Sequence, residues 1–204
     1  MKVPLRVLVV EDSEDDTIVL IRELERANFK PSFQQVFSRQ ALESALREQA
    51  WDLVISDHLL PGFGSFEALR VTKQIQPDIP FIVLSGVIGE EIAVAVMKAG
   101  ANDYVMKNNL TRLAPSIERE LREAESRRAR KRAEEALQRS RQELEDFFDH
   151  ASVGLRWVGP DGVILRANQA ELDMLGYSHE EYVGHNIAEF HADEGTADEV
   201  LRRL

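Results

Sequence analysis

Five side chains in this 204-residue sequence are of the kinds that handle phosphate and hard cations, and they stand directly after short, mostly apolar runs. Glu11 and Asp12 follow Leu5–Val10, Asp57 follows Leu53–Ser56, Ser85 follows Phe81–Leu84, and Lys107 follows Asp103–Met106. Three carboxylates within a few ångströms of one another repel unless a hard cation lies between them, and Mg2+, or Mn2+ in its place, takes oxygen ligands while keeping several waters. Lys107 supplies a point charge for a phosphoryl oxygen, and the Ser85 hydroxyl with the Gly86 amide can bond another. Asp57 is then the carboxylate placed to become an acyl phosphate. Taken singly, each has a plainer reading: an acidic pair complements a helix dipole, a lysine is a solvated cation, and a serine is a turn or cap. Their joint position at four strand ends is what argues for a site.

The elements that must position them alternate. Leu5–Val10 reads as a buried parallel strand, Ser13 caps a helix with an apolar stripe through Ile18, Val19, Leu20, Ile21, Leu24 and Ala27, and Phe33–Phe37 reads as the next strand. Ser38 opens a second helix through Leu42, Ala45 and Leu46. Leu53–Ser56 and Phe81–Leu84 are further strands flanking a helix through Phe66, Leu69 and Ile75. Ala93, Val94, Val96 and Met97 mark a fourth helix, Asp103–Met106 a fifth strand, and a fifth helix begins near Leu110. Five strands alternating with five helices specify an α/β doubly wound parallel sheet, which binds ligands outside the carboxyl ends of its strands.

On these residues, 1–115 resembles a receiver domain of the two-component response-regulator family. The segments that carry the likeness are Val9-Val10-Glu11-Asp12-Ser13, Ser56-Asp57-His58-Leu59-Leu60-Pro61-Gly62, Val83-Leu84-Ser85-Gly86 and Ala99 through Lys107. The resemblance implies the flavodoxin-like strand order 2-1-3-4-5 and a divalent ion held by Glu11, Asp12, Asp57 and the backbone carbonyl of Leu59. It also implies that Asp57 takes a phosphoryl group from a histidine kinase or a histidine phosphotransfer protein, that Ser85, Gly86 and Lys107 bind the phosphate, and that Tyr104 reorients as a switch. Two positions depart from the family. Asn108 follows Lys107 where proline, often after a cis bond, is usual, and Glu11 stands where aspartate is common. Leu59 and Val87 are apolar, so neither can hold an attacking water, and slow loss of the phosphoryl group is expected.

Charge marks two further regions. Residues 1–115 carry 12 basic against 16 acidic residues, 116–146 carry 9 of each with no glycine or proline, and 147–204 carry 4 against 11. The middle composition is that of an exposed helix, on the order of 60 Å long if it runs unbroken from Leu110 to Phe148 at 1.5 Å per residue. Ala114, Ile117, Leu121 and Ala124, and again Leu137, Ser140, Leu144 and Phe147, fall at coiled-coil spacing, predicting a parallel homodimer. The basic run Arg127–Arg132 is matched by surrounding glutamates and reads as a solvated face.

Residues 147–204 offer a hairpin, Gly154–Val158 and Val163–Ala167 around Gly159-Pro160-Asp161-Gly162, followed by short helices. With Asn168-Gln169-Ala170, Leu175-Gly176-Tyr177 and Gly184, this resembles the first half of a PAS sensory domain, a partial α+β segment. That family adds three more strands, so the expectation is a fragment of a longer protein, a sensor histidine kinase among the choices, or a tail completed by a partner. Trp157, Phe190 and His191 read as core rather than ligand pocket, and His58 and His150 sit in no recognisable phosphoacceptor sequence.

The expected organisation is therefore a receiver at 1–115, a helical coiled-coil linker at 116–146 and a partial PAS-like region at 147–204, working in phosphorelay signalling. No kinase catalytic domain is visible in these residues. The absence of cysteine removes disulfide and thiolate chemistry, and a net charge of −11 disfavours nonspecific DNA or anionic-lipid binding. No apolar run approaches the ~20 residues that cross a bilayer, which makes the cytoplasm the expected compartment. A receiver-shaped dimerisation scaffold without phosphate turnover remains an alternative. A Mg2+-dependent phosphohydrolase is weaker, because Leu59 stands where such enzymes carry a second aspartate.

Overall fold

The computed structural model describes residues 2–86 and 89–190. The chain divides into two compact units, 1–131 and 132–204, with the division inside one helix. In the first unit the order is β1 (Val3–Val10), α1 (Glu14–Arg26), β2 (Phe29–Val36), α2 (Arg39–Glu48), β3 (Leu53–Asp57), α3 (Ser65–Ile75), β4 (Phe81–Ser85), α4 (Glu90–Lys98) and β5 (Asp103–Met106). A 3-10 turn at Lys107–Arg112 leads into α5 (Leu113–His150). The five strands form one sheet in the order β2-β1-β3-β4-β5, every neighbouring pair parallel.

Central strands buried on both faces need apolar side chains in both directions, which is why they read as continuous apolar runs. Leu8, Val10, Val54, Phe81 and Val83 pack with Leu42, Leu46 and Leu69 of α2 and α3. On the other face Val7, Val9, Ile55, Ile82 and Leu84 pack with Leu20 and Leu24 of α1 and with Leu113 and Ile117 of α5. Val10 is level with Ser56, Asp57 with Leu84, and Ser85 with Met106. This register brings the four strand ends, and the residues that follow them, to one rim.

Several expectations need correction. β2 starts at Phe29 rather than Phe33, because Asn28 adopts a left-handed turn (φ 70°) and pairing with β1 begins at once, Val3 opposite Phe29. Ile18 and Val19 point outward; Thr17, Leu20, Ile21 and Leu24 form the buried stripe of α1. Only Val96 of α4 is buried. The 3-10 turn delays α5 to Leu113. Ala114, Ile117 and Leu121 pack against the sheet, so the first of the two helical seams is spent inside the receiver, whereas Leu137, Leu144 and Phe147 are exposed.

In the second unit the end of α5 is followed by the antiparallel pair β6 (Arg156–Val158) and β7 (Ile164–Ala167), shorter than the sequence pattern suggests, then α6 (Gln169–Leu175), α7 (His179–Tyr182) and a 3-10 turn at Ile187–Phe190. The Gly159–Gly162 turn closes through Gly159 N–H to Val163 O, 2.8 Å, with Gly162 at φ 80°. Ile164, Ala167, Leu172, Tyr182 and Ile187 form the core, and Phe190 packs on it. Trp157 is instead half exposed against Phe148, ring centroids 5.1 Å apart. Arg166 lies over Phe148 and bonds both oxygens of Asp149, at 2.9 and 3.0 Å. His191 lies outside the described residues.

Candidate functional site

Each strand end delivers one part of the site. The backbone of Glu11 is held to the end of β2, its N–H donating to Val36 O (3.0 Å) and its carbonyl accepting from the Gln35 amide (2.9 Å). That fixes its buried carboxylate, which accepts from Ser13 N–H (3.2 Å) and from Lys107 Nζ (2.8 Å). Asp12 is exposed beside it. Asp57, the last residue of β3, is partly buried; its Oδ1 accepts from His58 N–H (2.7 Å) and its Oδ2 lies 3.2 Å from Lys107 Nζ. Carboxylate oxygens of Glu11, Asp12 and Asp57 all lie within 4.8 Å of one another. A convergent set of hard oxygen donors suits a divalent cation such as Mg2+.

Lys107 opens the 3-10 turn directly after β5 and reaches back across the rim to Glu11, Asp57 and Asp16, the last at 2.6 Å. Burial drags its ammonium down, but the bonds from Asp16 and Glu11 and the charge of Asp57 carry it above the ordinary lysine value. Burial pushes the Glu11 carboxyl above its ordinary range, with the Asp57 charge adding to the effect and the bonds from Lys107 and Ser13 opposing it. Acids outnumber cations here, so the cluster holds negative charge in excess.

Ser85 is fully buried at the end of β4, and Gly86 is exposed just beyond it. The Leu59 side chain projects outward from the loop after β3. Tyr104 is half buried against the core under α2 and α3, its N–H donating to Asp103 Oδ1 (2.8 Å). The Lys107–Asn108 bond is trans, as are all described peptide bonds. Val87 lies outside the described residues. A cavity of about 80 Å3 is lined by Glu11, Asp16, Asp57 and Lys107 together with apolar residues, Leu20 and Leu84 among them.

Sequence reasoning missed two participants. Asp16 stands in the first turn of α1, just after the Glu11–Asp12 pair, but only the fold shows that Lys107 reaches it. His58 Nδ1 lies 3.0 Å from the Ser65 hydroxyl at the head of α3, pinning the loop that follows Asp57.

Residues 7–118, more than half of the chain, match the response regulator receiver domain family. The chain belongs to the response-regulator receiver family. The receiver is 26% identical over 102 residues to the chemotaxis protein CheY of Thermotoga maritima, covering 50% of this chain and 84% of that protein. It is 38% identical over 69 residues to the transcriptional regulatory protein ZraR of Escherichia coli, covering 34% of this chain and 15% of that protein, so the chain spans only a small part of ZraR. Among solved structures, the beryllofluoride-activated NtrC4 receiver domain dimer superposes with a TM-score of 0.52 at 26% identity, covering 58% of this chain and 98% of that one. Residues 148–204 match the PAS fold. The receiver fold and a following PAS region are thereby established, in keeping with phosphorelay signalling. Among the described residues no helix is long and apolar enough to cross a membrane.

Proposed function

We propose that this receiver accepts a phosphoryl group on Asp57 from a phosphohistidine protein, either a histidine kinase or a histidine phosphotransfer protein, in the presence of Mg2+ or Mn2+. The observation that carries the reading is the convergence of Asp57 with Glu11 and Asp12, oxygens within 4.8 Å of one another, with Lys107 Nζ 3.2 Å from Asp57. An Asp57 oxygen attacks phosphorus, the P–N bond breaks, and its electron pair leaves with the imidazole. Glu11, Asp12, Asp57 and the Leu59 carbonyl would hold the ion, which when bound neutralises charge on the transferring oxygens. Lys107, Ser85 and the Gly86 amide take up the phosphoryl oxygens that face the protein. Exposed Val19 on α1, beside this rim, offers the donor an apolar footing.

The route outward runs along β5. Tyr104 is the proposed switch, and the neighbouring Asp103 holds α5 through Arg119 at 2.8 Å and through the Ser116 hydroxyl. Asn102, just before the strand, donates to Glu120 at 2.9 Å. In this reading a change at Lys107 is passed along the β5 backbone to the start of the strand, where these bonds meet α5. In this reading the receiver occupies 1–115, the linker 116–146 and a sensory PAS region 147–204, in a cytoplasmic protein whose Leu137, Leu144 and Phe147 stripe pairs with a second copy. DNA and membrane are not among the proposed partners.

Incubating wild type and Asp57→Asn with acetyl phosphate, with and without Mg2+, and resolving the products on a phosphate-affinity gel tests the central step. A Mg2+-dependent shifted band absent from the variant is the expected result. No shift with any donor would favour a scaffold that never turns over phosphate.

A further inference from the structure

The Lys107 ammonium occupies two of the three carboxylates that would receive a divalent ion, 2.8 Å from Glu11 and 3.2 Å from Asp57. Its shortest contact is to a fourth acid, Asp16, at 2.6 Å, which is not one of the three whose oxygens converge. Asp16 is the third residue of α1, and its N–H donates to the capping Ser13 hydroxyl at 3.2 Å. The helix start therefore fixes the backbone from which this carboxylate reaches Lys107, and the same Ser13 donates its N–H to Glu11 at 3.2 Å. Its side chain is 48% exposed, against 6% for Glu11 and 12% for Asp57.

A divalent ion and an ammonium are like charges, and in a half-buried site they cannot share the Glu11 and Asp57 oxygens without strong repulsion. When the ion enters, the ammonium has to give ground. Asp16 is the carboxylate toward which it can retreat while keeping a charge-assisted bond. That bond then works against the next step, since phosphoryl oxygens arriving at Asp57 need the same ammonium and must draw it off Asp16.

We propose that Asp16 is a positioning residue for Lys107, holding the ammonium clear of the divalent-ion position and competing with the phosphoryl oxygens for it. The proposal rests on the phosphoacceptor reading of Asp57 and extends it to a residue outside the ion-binding set. It requires Asp16→Asn to have two effects of opposite sense. Affinity for Mg2+ falls, because the displaced ammonium loses its second partner, while phosphoryl uptake at saturating Mg2+ rises. For a half-exposed ion pair each change is about threefold.

The test uses the full chain as wild type, Asp16→Asn, Asp16→Glu and, as a charge-matched control on the exposed neighbour, Asp15→Asn. Calorimetric titration with Mg2+ and no phosphodonor gives the affinity; the initial rate of labelling by acetyl phosphate at saturating Mg2+ gives the uptake. Asp16→Asn is expected to bind Mg2+ about threefold more weakly and to label about threefold faster, with Asp16→Glu close to wild type in both. Asp16→Asn behaving as Asp15→Asn in both measurements, or moving both in one direction, overturns the proposal. A wild type that never labels, while Asp16→Asn still weakens Mg2+ binding, overturns the phosphoacceptor reading and the competition with it, and supports the part played by Asp16 in metal entry.

Discussion

Glu11 in the receiver and Glu171 in the PAS region are both buried glutamates paired with a cation, and they teach opposite lessons. Glu171 bonds Arg156 at 2.6 Å and accepts from the Tyr182 hydroxyl at 3.1 Å, one acid to one base, with every partner supplied locally. Glu11 shares its lysine with Asp57 and Asp16, and Asp12 stands beside it without a cation of its own among the contacts described. A buried charge that is matched one to one holds a fold together; removing either member leaves the other stranded. A buried charge in excess is poised to take something up. The same residue type, buried to the same degree, is matched by its cation in one unit and left in a surplus of acids in the other, and in the proposed reading that local count of opposite charges separates a structural group from a chemical one.

The sharpest way to break this comparison is at the acceptor itself. Asp57→Asn removes the only proposed nucleophile, so labelling by acetyl phosphate should vanish altogether, and residual Mg2+-dependent labelling would show that another residue of the rim takes the group. At the matched site the effect is on stability. Glu171→Ala leaves the one-third exposed Arg156 uncompensated and should cost the PAS region about 2 kcal/mol, a value scaled down from fully buried pairs for the solvent at the guanidinium. Hydrogen exchange across residues 156–182 measures this without assuming that the two units unfold together.

Glu11→Gln should do the reverse when metal is chelated. Burial raises the Glu11 carboxyl in the folded state, so there the folded chain holds its proton to higher pH than the unfolded chain does. Stability contributed by this group is therefore present at low pH and lost as pH rises from the ordinary carboxylate value through the raised one. In EDTA the wild-type receiver should lose stability across that window, Glu11→Gln should flatten the loss, and the variant should bind Mg2+ more weakly. Urea unfolding followed at the buried Trp51 over a pH series provides the check. Lys107 follows the same sign in a different window: its raised value contributes stability throughout the neutral range, lost only in strong alkali.

The smallest stability effect is expected on the exposed half of α5. Leu144→Ala should change folding by less than about 0.5 kcal/mol, since the side chain is exposed, yet it should weaken self-association measured by sedimentation. An unchanged sedimentation profile in a dimeric wild type would place the contact elsewhere.

The rim was legible because parallel strands buried on both faces leave uninterrupted apolar runs, and such runs stop where the chain leaves the sheet. Val7–Val10, Leu53–Ile55 and Phe81–Leu84 carry that signature, and the site residues follow from where they stop. β2 was read only in part because it lies at the sheet edge, where half-exposed positions, Pro31 among them, blur the pattern. The outward turn of Ile18 and Val19 was equally hidden, since an apolar residue on a helix does not announce which side the sheet will take.

What the amino-acid order determined by itself is the set of parts: strands, caps, the acids with Asp57 among them, the serine and the lysine, each at a chain position dictated by local periodicity. Tertiary structure alone decided their partners. Lys107 lies 91 residues from Asp16, and no local pattern encodes that the β5 terminus will lean over the first turn of α1. Nor could spacing distinguish the two seams of α5, because each run, Ile117 in one and Leu144 in the other, keeps the same alternation of three and four although the two are out of phase. The sheet covers the first and leaves the second in solvent, since burial belongs to what packs against a helix and not to the helix alone.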